Sequence, residues 1–302
     1  MGREGHSTYN FIRRYLPEQK LIIADAKQVE IDDPNVELLC GDGYLDAINR
    51  ADTVIKAPGV PLLHWKRPQG VEITCQTDLF LRYSGFNCVG VTGTKGKTTT
   101  STLIYSMLRA AGKEACLIGN MGYPVFDSLE DCAGETAVIE MSSHQLEFTS
   151  RSPHIAVLTN IYPEHLDHYD SFECYVGAKL NIVRNQGKGD TFIYNADQGL
   201  DGFFDLSEYP GEAVGVSVNT PDAEKYRDIN PHLLGEHNIQ NCMFAAEAAR
   251  RCGVSDEDIM RALKDYEGIE HRMEFFATVK GIKFVNDCIA TIPHSEIGRA
   301  HV

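Results

Sequence analysis

The sequence contains no Cys-x-x-Cys pair, no apolar run near the length of a membrane span, and too few bases to balance its acids. Its nine cysteines, at 40, 75, 88, 116, 132, 174, 242, 252 and 288, are scattered. That spacing indicates neither a zinc site nor a small disulfide scaffold, and most of the thiols are expected to be buried and reduced. No stretch approaches the roughly 20 apolar residues that cross a bilayer, and the N-terminus lacks a hydrophobic signal segment. The expectation is a cytoplasmic protein with no membrane partner. Lysine and arginine number 28 against 43 aspartates and glutamates, a net charge of -15. Binding a polyanion rests on neutralising its phosphates, so nucleic acid is not an expected partner. A local basic site for a nucleotide is still allowed.

What is present is enough chain, 302 residues with 43% apolar composition, for two or three domains with their own cores. The most informative stretch is Val89 to Thr100, VGVTGTKGKTTT, where an apolar strand runs into glycines, a lysine and hydroxyls. Gly90, Gly93 and Gly96 allow backbone conformations in which successive N–H groups face phosphate oxygens. Lys97 brings a cation to the terminal phosphates, and Thr98 can offer its hydroxyl to magnesium. A helix predicted over Thr99 to Ala111 directs its positive end at the same place. The spacing between the glycines is shorter than in the usual phosphate loop.

Around this stretch the chain alternates short apolar runs with helical segments, the rhythm of a parallel sheet with crossover helices. Early elements are expected at Leu21 to Ala24, Val36 to Cys40, Asp46 to Asn49 and Thr53 to Lys56, after a helix capped by Ser7 or Thr8 and running to Tyr15. The turn Ala57 to Pro61 lies at the carboxyl end of a strand, where open α/β sheets bind ligands, although an ordinary turn fits these residues equally well. Asp25 has the same two readings, a ribose or uracil contact or the start of a turn. Further strands are expected at Ala137 to Glu140, Ile155 to Thr159 and Thr191 to Asn195. Helices are expected at Phe172 to Arg184, Cys242 to Arg251 and, capped by Ser255, Asp256 to Lys264. Residues 199–230 are polar and weakly patterned. Phe275 to Val279 and Lys283 to Asn286 read as a hairpin around Lys280-Gly281.

Taken singly, Glu140 fits a solvated strand end, His165 a surface histidine, and Lys179 a solvated helical lysine. Only the loop at 93–98 has a sharp meaning alone. In order along the chain, however, stand Gly93-Thr94-Lys95-Gly96-Lys97-Thr98, Gly119-Asn120-Met121-Gly122, Glu140-Met141-Ser142-Ser143-His144-Gln145-Leu146-Glu147, Pro163 to Tyr169, Ala178-Lys179-Leu180, Gly235 to Asn241, and Glu270-His271-Arg272-Met273-Glu274. This series resembles the Mur ligase family of ATP-dependent amide-forming enzymes over nearly the entire chain. The Ser142 to Glu147 run, the His271-Arg272 pair and the small N-terminal α/β region resemble the branch that adds D-glutamate to a UDP-linked muramoyl substrate. Another family ligase, such as a folylpolyglutamate synthase, and a non-catalytic nucleotide-binding module are the alternatives.

The resemblance implies an α/β protein. A Rossmann-like UDP-substrate domain would span 1–87, a P-loop ATPase-like domain with a parallel sheet 88–268, and the start of a truncated C-terminal α/β ligase domain 269–302. It implies ATP, two Mg2+ ions and a carbamylated lysine as cofactors, and a monomer. Gly93, Thr94, Lys95, Gly96, Lys97, Thr98 and Thr99 would hold the phosphates. Asn238 and Asn241 would lie on the adenine side, and Arg272 and Asp287 at the phosphates and ribose. Thr98 and Glu140 would hold one magnesium, and His165 and carbamylated Lys179 the other. Lys97, His165 and Lys179 would be catalytic. Gly2, Arg3, Asp25, Pro58, Gly59, Asn120 and Ser142 would contact substrate. By the same analogy a first strand should precede Gly2 and the third domain should continue well past 302. Residues 296–302 are expected to be read-through from a sequencing adapter, whose DNA encodes Glu-Ile-Gly-Arg-Ala-His-Val, and the chain as written is expected to have little or no ligase activity.

Overall fold

The computed structural model describes residues 1–62, 68–119, 123–129, 132, 136–269, 274–280 and 282–286. The N-terminal part opens with α1 (Arg3–Tyr15) and continues through β1 (Leu21–Asp25), β2 (Val36–Cys40), a 3-10 turn (Tyr44–Arg50), β3 (Thr53–Ile55), β4 (Glu72–Thr74) and α2 (Gln76–Tyr83). β1 pairs in parallel with β2, and β3 with β4, as two separate two-stranded sheets. Asp46 to Asn49 is thus a 3-10 turn between strands. α1 begins earlier than the expected Ser7 or Thr8 cap, with Gly2 as its N-cap and no side-chain cap. The hydroxyls are used otherwise. Ser7 is buried inside the helix, and Thr8 Oγ1 donates to Glu4 O while accepting from Gln76 Nε2 at 2.8 Å, which ties the first turns of α1 to α2.

Glu4 sits in the first turn of α1, and burial, opposed by the charge of Lys56, pushes its carboxyl up to about 7 from 4.5. A folded-state value above the unfolded one means that the group favours the folded state fully below pH 4.5, and that this contribution is lost as pH rises through 7. Glu4→Gln removes the loss. Allowing for partial exposure, the effect is on the order of 1 kcal/mol. The thermal midpoint of the variant relative to the parent should therefore rise by roughly 2–4 °C between pH 4 and pH 8. A difference independent of pH in paired melting curves would reject this.

The central part forms a six-stranded, all-parallel sheet. Its strands are β5 (Asn87–Thr92), β6 (Ala115–Ile118), β7 (Thr136–Glu140), β8 (Ile155–Leu158), β9 (Thr191–Asn195) and β10 (Glu212–Val216), in the spatial order β10-β9-β8-β5-β7-β6. The strands are nearly continuous apolar runs because both faces are covered. Val89, Val91, Val138, Val157 and Ile193 enter one core with α3 (Lys97–Ala110), α6 (Glu236–Arg251) and α7 (Asp256–Lys264). Cys88, Ala137, Ile139, Ala156 and Phe192 enter the opposite core with α4 (Ser143–Leu146) and α5 (Phe172–Arg184). Gly90 belongs to the second face, where a Cβ would come within 2.6 Å of the Pro153 ring.

α5 and α7 have the predicted bounds because their starts are local. Ser171 accepts from Cys174 N, and Ser255 from Asp258 N. α6 starts six residues before Cys242, at Glu236, since the polar Asn238 and Asn241 are themselves buried on it. Within 199–230 lies β10, an edge strand exposed along most of its length, so no alternating pattern marks it in the sequence. β11 (Glu274–Val279) and β12 (Ile282–Asn286) pair antiparallel, as the hairpin reading expects. Cys116 on β6 is disulfide-bonded to Cys132, their Cα atoms 5.3 Å apart, a pairing of two distant positions that spacing does not announce. Cys75, Cys88 and Cys242 are free and buried, and Cys174 is free and exposed. Among the described residues no helix is long and apolar enough to cross a membrane.

Candidate functional site

β5 lies beside β8, and the connections that leave their carboxyl ends run to opposite sides of the sheet, from β5 through α3 to β6 and from β8 through α5 to β9. Such a switch point leaves a crevice in open α/β sheets, and here it is filled by residues 93–98. Gly93 has φ of 152°, and a Cβ there would run into the Thr159 hydroxyl. Gly96, at φ 86°, is the N-cap of α3, and its Cβ would lie 2.5 Å from Asn241 Oδ1. The loop therefore packs against the end of β8 and against α6 too closely for side chains.

Its shape is held by neighbours. Asn160 O accepts from Thr94 N at 2.9 Å, and Asn160 Oδ1 from Lys95 N at 2.8 Å. Thr159 Oγ1 donates to Lys95 O. Thr94 Oγ1 lies 2.9 Å from Tyr175 OH and accepts from Tyr162 N. Three lysines converge here. Lys97 Nζ donates to Gly93 O and Thr94 O at 3.0 and 3.1 Å, and Lys179 Nζ donates to the same Gly93 O at 2.8 Å. Lys95 Nζ is paired with Glu164 Oε1 at 2.8 Å.

Lys179 is 2% exposed and lies 4.7 Å from the centre of the Tyr175 ring, one helical turn earlier on α5. The solvated-lysine reading of this residue is thereby corrected. Burial first, and then the charge of Lys97, hold its amine well below the usual lysine range. A desolvated amine of this kind is neutral over part of the pH range and can act as a nucleophile. Glu140 ends β7 beside the loop, with Oε1 accepting from Thr98 Oγ1 at 3.2 Å. A carboxylate and a hydroxyl next to the positive end of a helix form a hard oxygen set that fits Mg2+. His165 is half-exposed, with φ 57° and Nε2 3.9 Å from Glu164 Oε2. Burial lowers its pKa. As an ammonium, Lys179 is a donor and cannot ligate a second ion beside His165, and among the described residues no cluster of three His, Cys, Asp or Glu side chains could hold a metal.

Asn241 meets Gly96 and accepts from Thr100 Oγ1, and its amide donates to Asn238 Oδ1 at 3.1 Å, so Asn241 adjoins the loop and Asn238 supports it from behind. Ser142 caps α4 in a reciprocal box with Gln145. Asp25 accepts from Lys27 N, and that bond holds its carboxyl below the usual range. Gly2 caps α1, with Arg3 as its first residue, while Pro58 O accepts from Lys56 Nζ. Asn120, Arg272 and Asp287 lie outside the described residues. Asn160 and Tyr175 were not singled out by the sequence. Tyr175 is four residues from Lys179 on one helix face, the spacing that could have flagged it.

Residues 91–208 match the Mur ligase middle domain. Its curated relatives include UDP-N-acetylmuramoylalanine--D-glutamate ligases from Clostridium kluyveri, 32% identical over 290 residues, covering 87% of this chain and 62% of the relative, and from Geobacillus kaustophilus, 32% identical, covering 91% and 65%. The chain thus spans just under two thirds of these Mur ligases. Among solved structures, MurF from Acinetobacter baumannii superposes with a TM-score of 0.62 at 18% identity, covering 97% of this chain and 64% of that one. MurF ligase from Thermotoga maritima in complex with ADP gives 0.61 at 17% identity, covering 97% and 68%. These two show the Mur ligase fold.

Proposed function

We propose that this chain binds Mg·ATP at residues 93–98 and belongs to an enzyme that joins D-glutamate to UDP-N-acetylmuramoyl-L-alanine. The observation that carries the nucleotide reading is the convergence of Lys97 and Lys179 on one carbonyl, Gly93 O, at the positive end of α3. The Lys97 ammonium beside the backbone amides at the start of α3 is a receptor for a polyanion. D-glutamate as the amino acid rests on the curated relatives. The arrangement of a UDP-substrate region at 1–87, an ATP-binding region at 88–268 and the beginning of a ligase domain after it is part of the same reading, as is the placing of Gly2, Arg3, Asp25, Pro58, Gly59 and Ser142 toward the UDP-linked substrate.

In the reaction, the γ-phosphoryl group of ATP passes to the L-alanine carboxylate. The D-glutamate amine then attacks the acyl phosphate, and phosphate leaves. Lys97 lies where charge gathers between two anions, and Thr98 and Glu140 would hold Mg2+, which supplies charge neutralisation at the phosphates. Gly93 and Gly96 bring backbone close to the nucleotide, and Asn241 keeps Gly96 in place. Lys179, as a neutral amine, would add carbon dioxide at Nζ and release one proton, which turns a neutral group into a carboxylate-like anion next to His165.

The test is phosphate release with UDP-N-acetylmuramoyl-L-alanine and a panel of amino acids, using the reading frame extended to the length of the relatives. Release that depends on D-glutamate supports the reading, and dependence on another amino acid rejects it. In the same protein Lys179→Met should lower turnover by roughly 100-fold or more, the scale of losing one preorganised electrostatic group. A short carboxylic acid should restore part of it. Full activity in the variant would reject the carbamate.

A further inference from the structure

Lys56 follows β3, and its amide donates to Thr74 O at 2.8 Å. Its side chain is 2% exposed, which for lysine requires a partner. Nζ lies 3.1 Å from Glu147 Oε2 and 3.3 Å from Pro58 O, and 5.3 Å from the centre of the Phe148 ring. Glu147, which ends α4, turns its other oxygen to His168 Nε2 at 3.5 Å. His168 is in the loop of His165, where the amides of His168 and Tyr169 both donate to His165 O, at 2.9 and 3.0 Å. One carboxylate is therefore shared between the turn at Pro58-Gly59 and the loop of His165.

Stability alone does not account for the pair. Apolar side chains at both positions would fill the same space beside Phe148 without the desolvation of two charges, and buried ion pairs replaced as a whole are often matched or bettered in this way. What the pair adds is direction, because each charge fixes the position of the other. We propose that Lys56 and Glu147 are positioning residues that set the spacing between the Pro58-Gly59 turn and the His165–Tyr169 loop. This rests on the functional reading only for what the two segments bind; the spacing itself can be tested without any ligand.

The experiment is amide hydrogen exchange on the 302-residue chain and on Lys56→Met, Glu147→Gln and Lys56→Arg. The amide of Val60, hydrogen-bonded to Ala57 O, reports the turn, and those of His168 and Tyr169 report the loop. Lys56→Met should speed exchange at His168 and Tyr169, and Glu147→Gln should speed it at Val60, each by roughly tenfold, the scale of coupling between contacting groups. Lys56→Arg, which keeps the charge, should stay near the parent. Changes confined to each variant's own side would overturn the proposal, and so would uniform acceleration reaching α6 and α7, which marks ordinary loss of stability. A second arm titrates UDP-N-acetylmuramoyl-L-alanine and Mg·ATP separately. Both variants should weaken the former and leave the latter unchanged. Cross-site exchange without binding of the UDP compound by the parent would sustain the positioning pair and reject the substrate assignment.

Discussion

Gly93→Ala should abolish measurable binding of Mg·ATP while leaving the chain folded. The added Cβ would meet the Thr159 hydroxyl, with Asn160 N and O each at 3.2 Å, so no direction is open to it. Thr159 has little room to yield, because it is fully buried and its hydroxyl donates to Lys95 O at 2.6 Å, with Thr92 O 3.3 Å away. The φ of 152° adds backbone strain for any L side chain. Relief must come from the loop, and a shift of about 1 Å is enough to misdirect its donors. Titration calorimetry with circular dichroism as a control measures both parts. Binding within about threefold of the parent, a difference under roughly 0.7 kcal/mol, would remove the loop from the nucleotide site. Gly96→Ala should do less, since the group it meets is the end of the Asn241 side chain.

Lys97→Met should weaken Mg·ATP by roughly 30- to 150-fold, the scale of losing a charge-assisted contact of about 2–3 kcal/mol. ADP should lose less, because the charge is directed at the terminal phosphate. The variant should nevertheless melt no lower than the parent, and that separates this prediction from general damage. Lys97 lies near two other amines, and its charge is one of the causes that lower the pKa of Lys179. Removing it relieves repulsion at a crowded site. A fall in the thermal midpoint together with equal losses for ATP and ADP would indicate a structural role for Lys97.

How much of this was legible in the sequence depends on whether the deciding contact was local. The loop at 93–98, α5 and α7 announce themselves through glycines or capping serines within a few residues of where they act. The sequence makes α6 look too short because Asn238 and Asn241 have the character of surface residues, and Asn241 is buried by contact with Gly96 and Thr100, far away in sequence. β10 was invisible for the reverse reason, an edge strand that buries little. Lys179 was placed in the site by its neighbours in the sequence, but its environment is tertiary. Nothing near Ala178-Lys179-Leu180 says that the amine is desolvated or that it shares Gly93 O with Lys97. The Lys56–Glu147 pair joins two segments whose patterns are each complete without it, so no local signal exists to be read.

The unequal sheets have a consequence for how the molecule comes apart. The phosphate loop hangs from β5, an inner strand hydrogen-bonded on both sides and covered on both faces. The Pro58-Gly59 turn hangs from β3, three residues long in a sheet that has two strands among the described residues. Opening free energy follows such differences in buried area and backbone pairing. The N-terminal part can therefore breathe, or be nicked by a protease, on a timescale at which the loop stays shut. Cooperative units of this kind let one half of a site be adjusted by mutation while the other half keeps its shape.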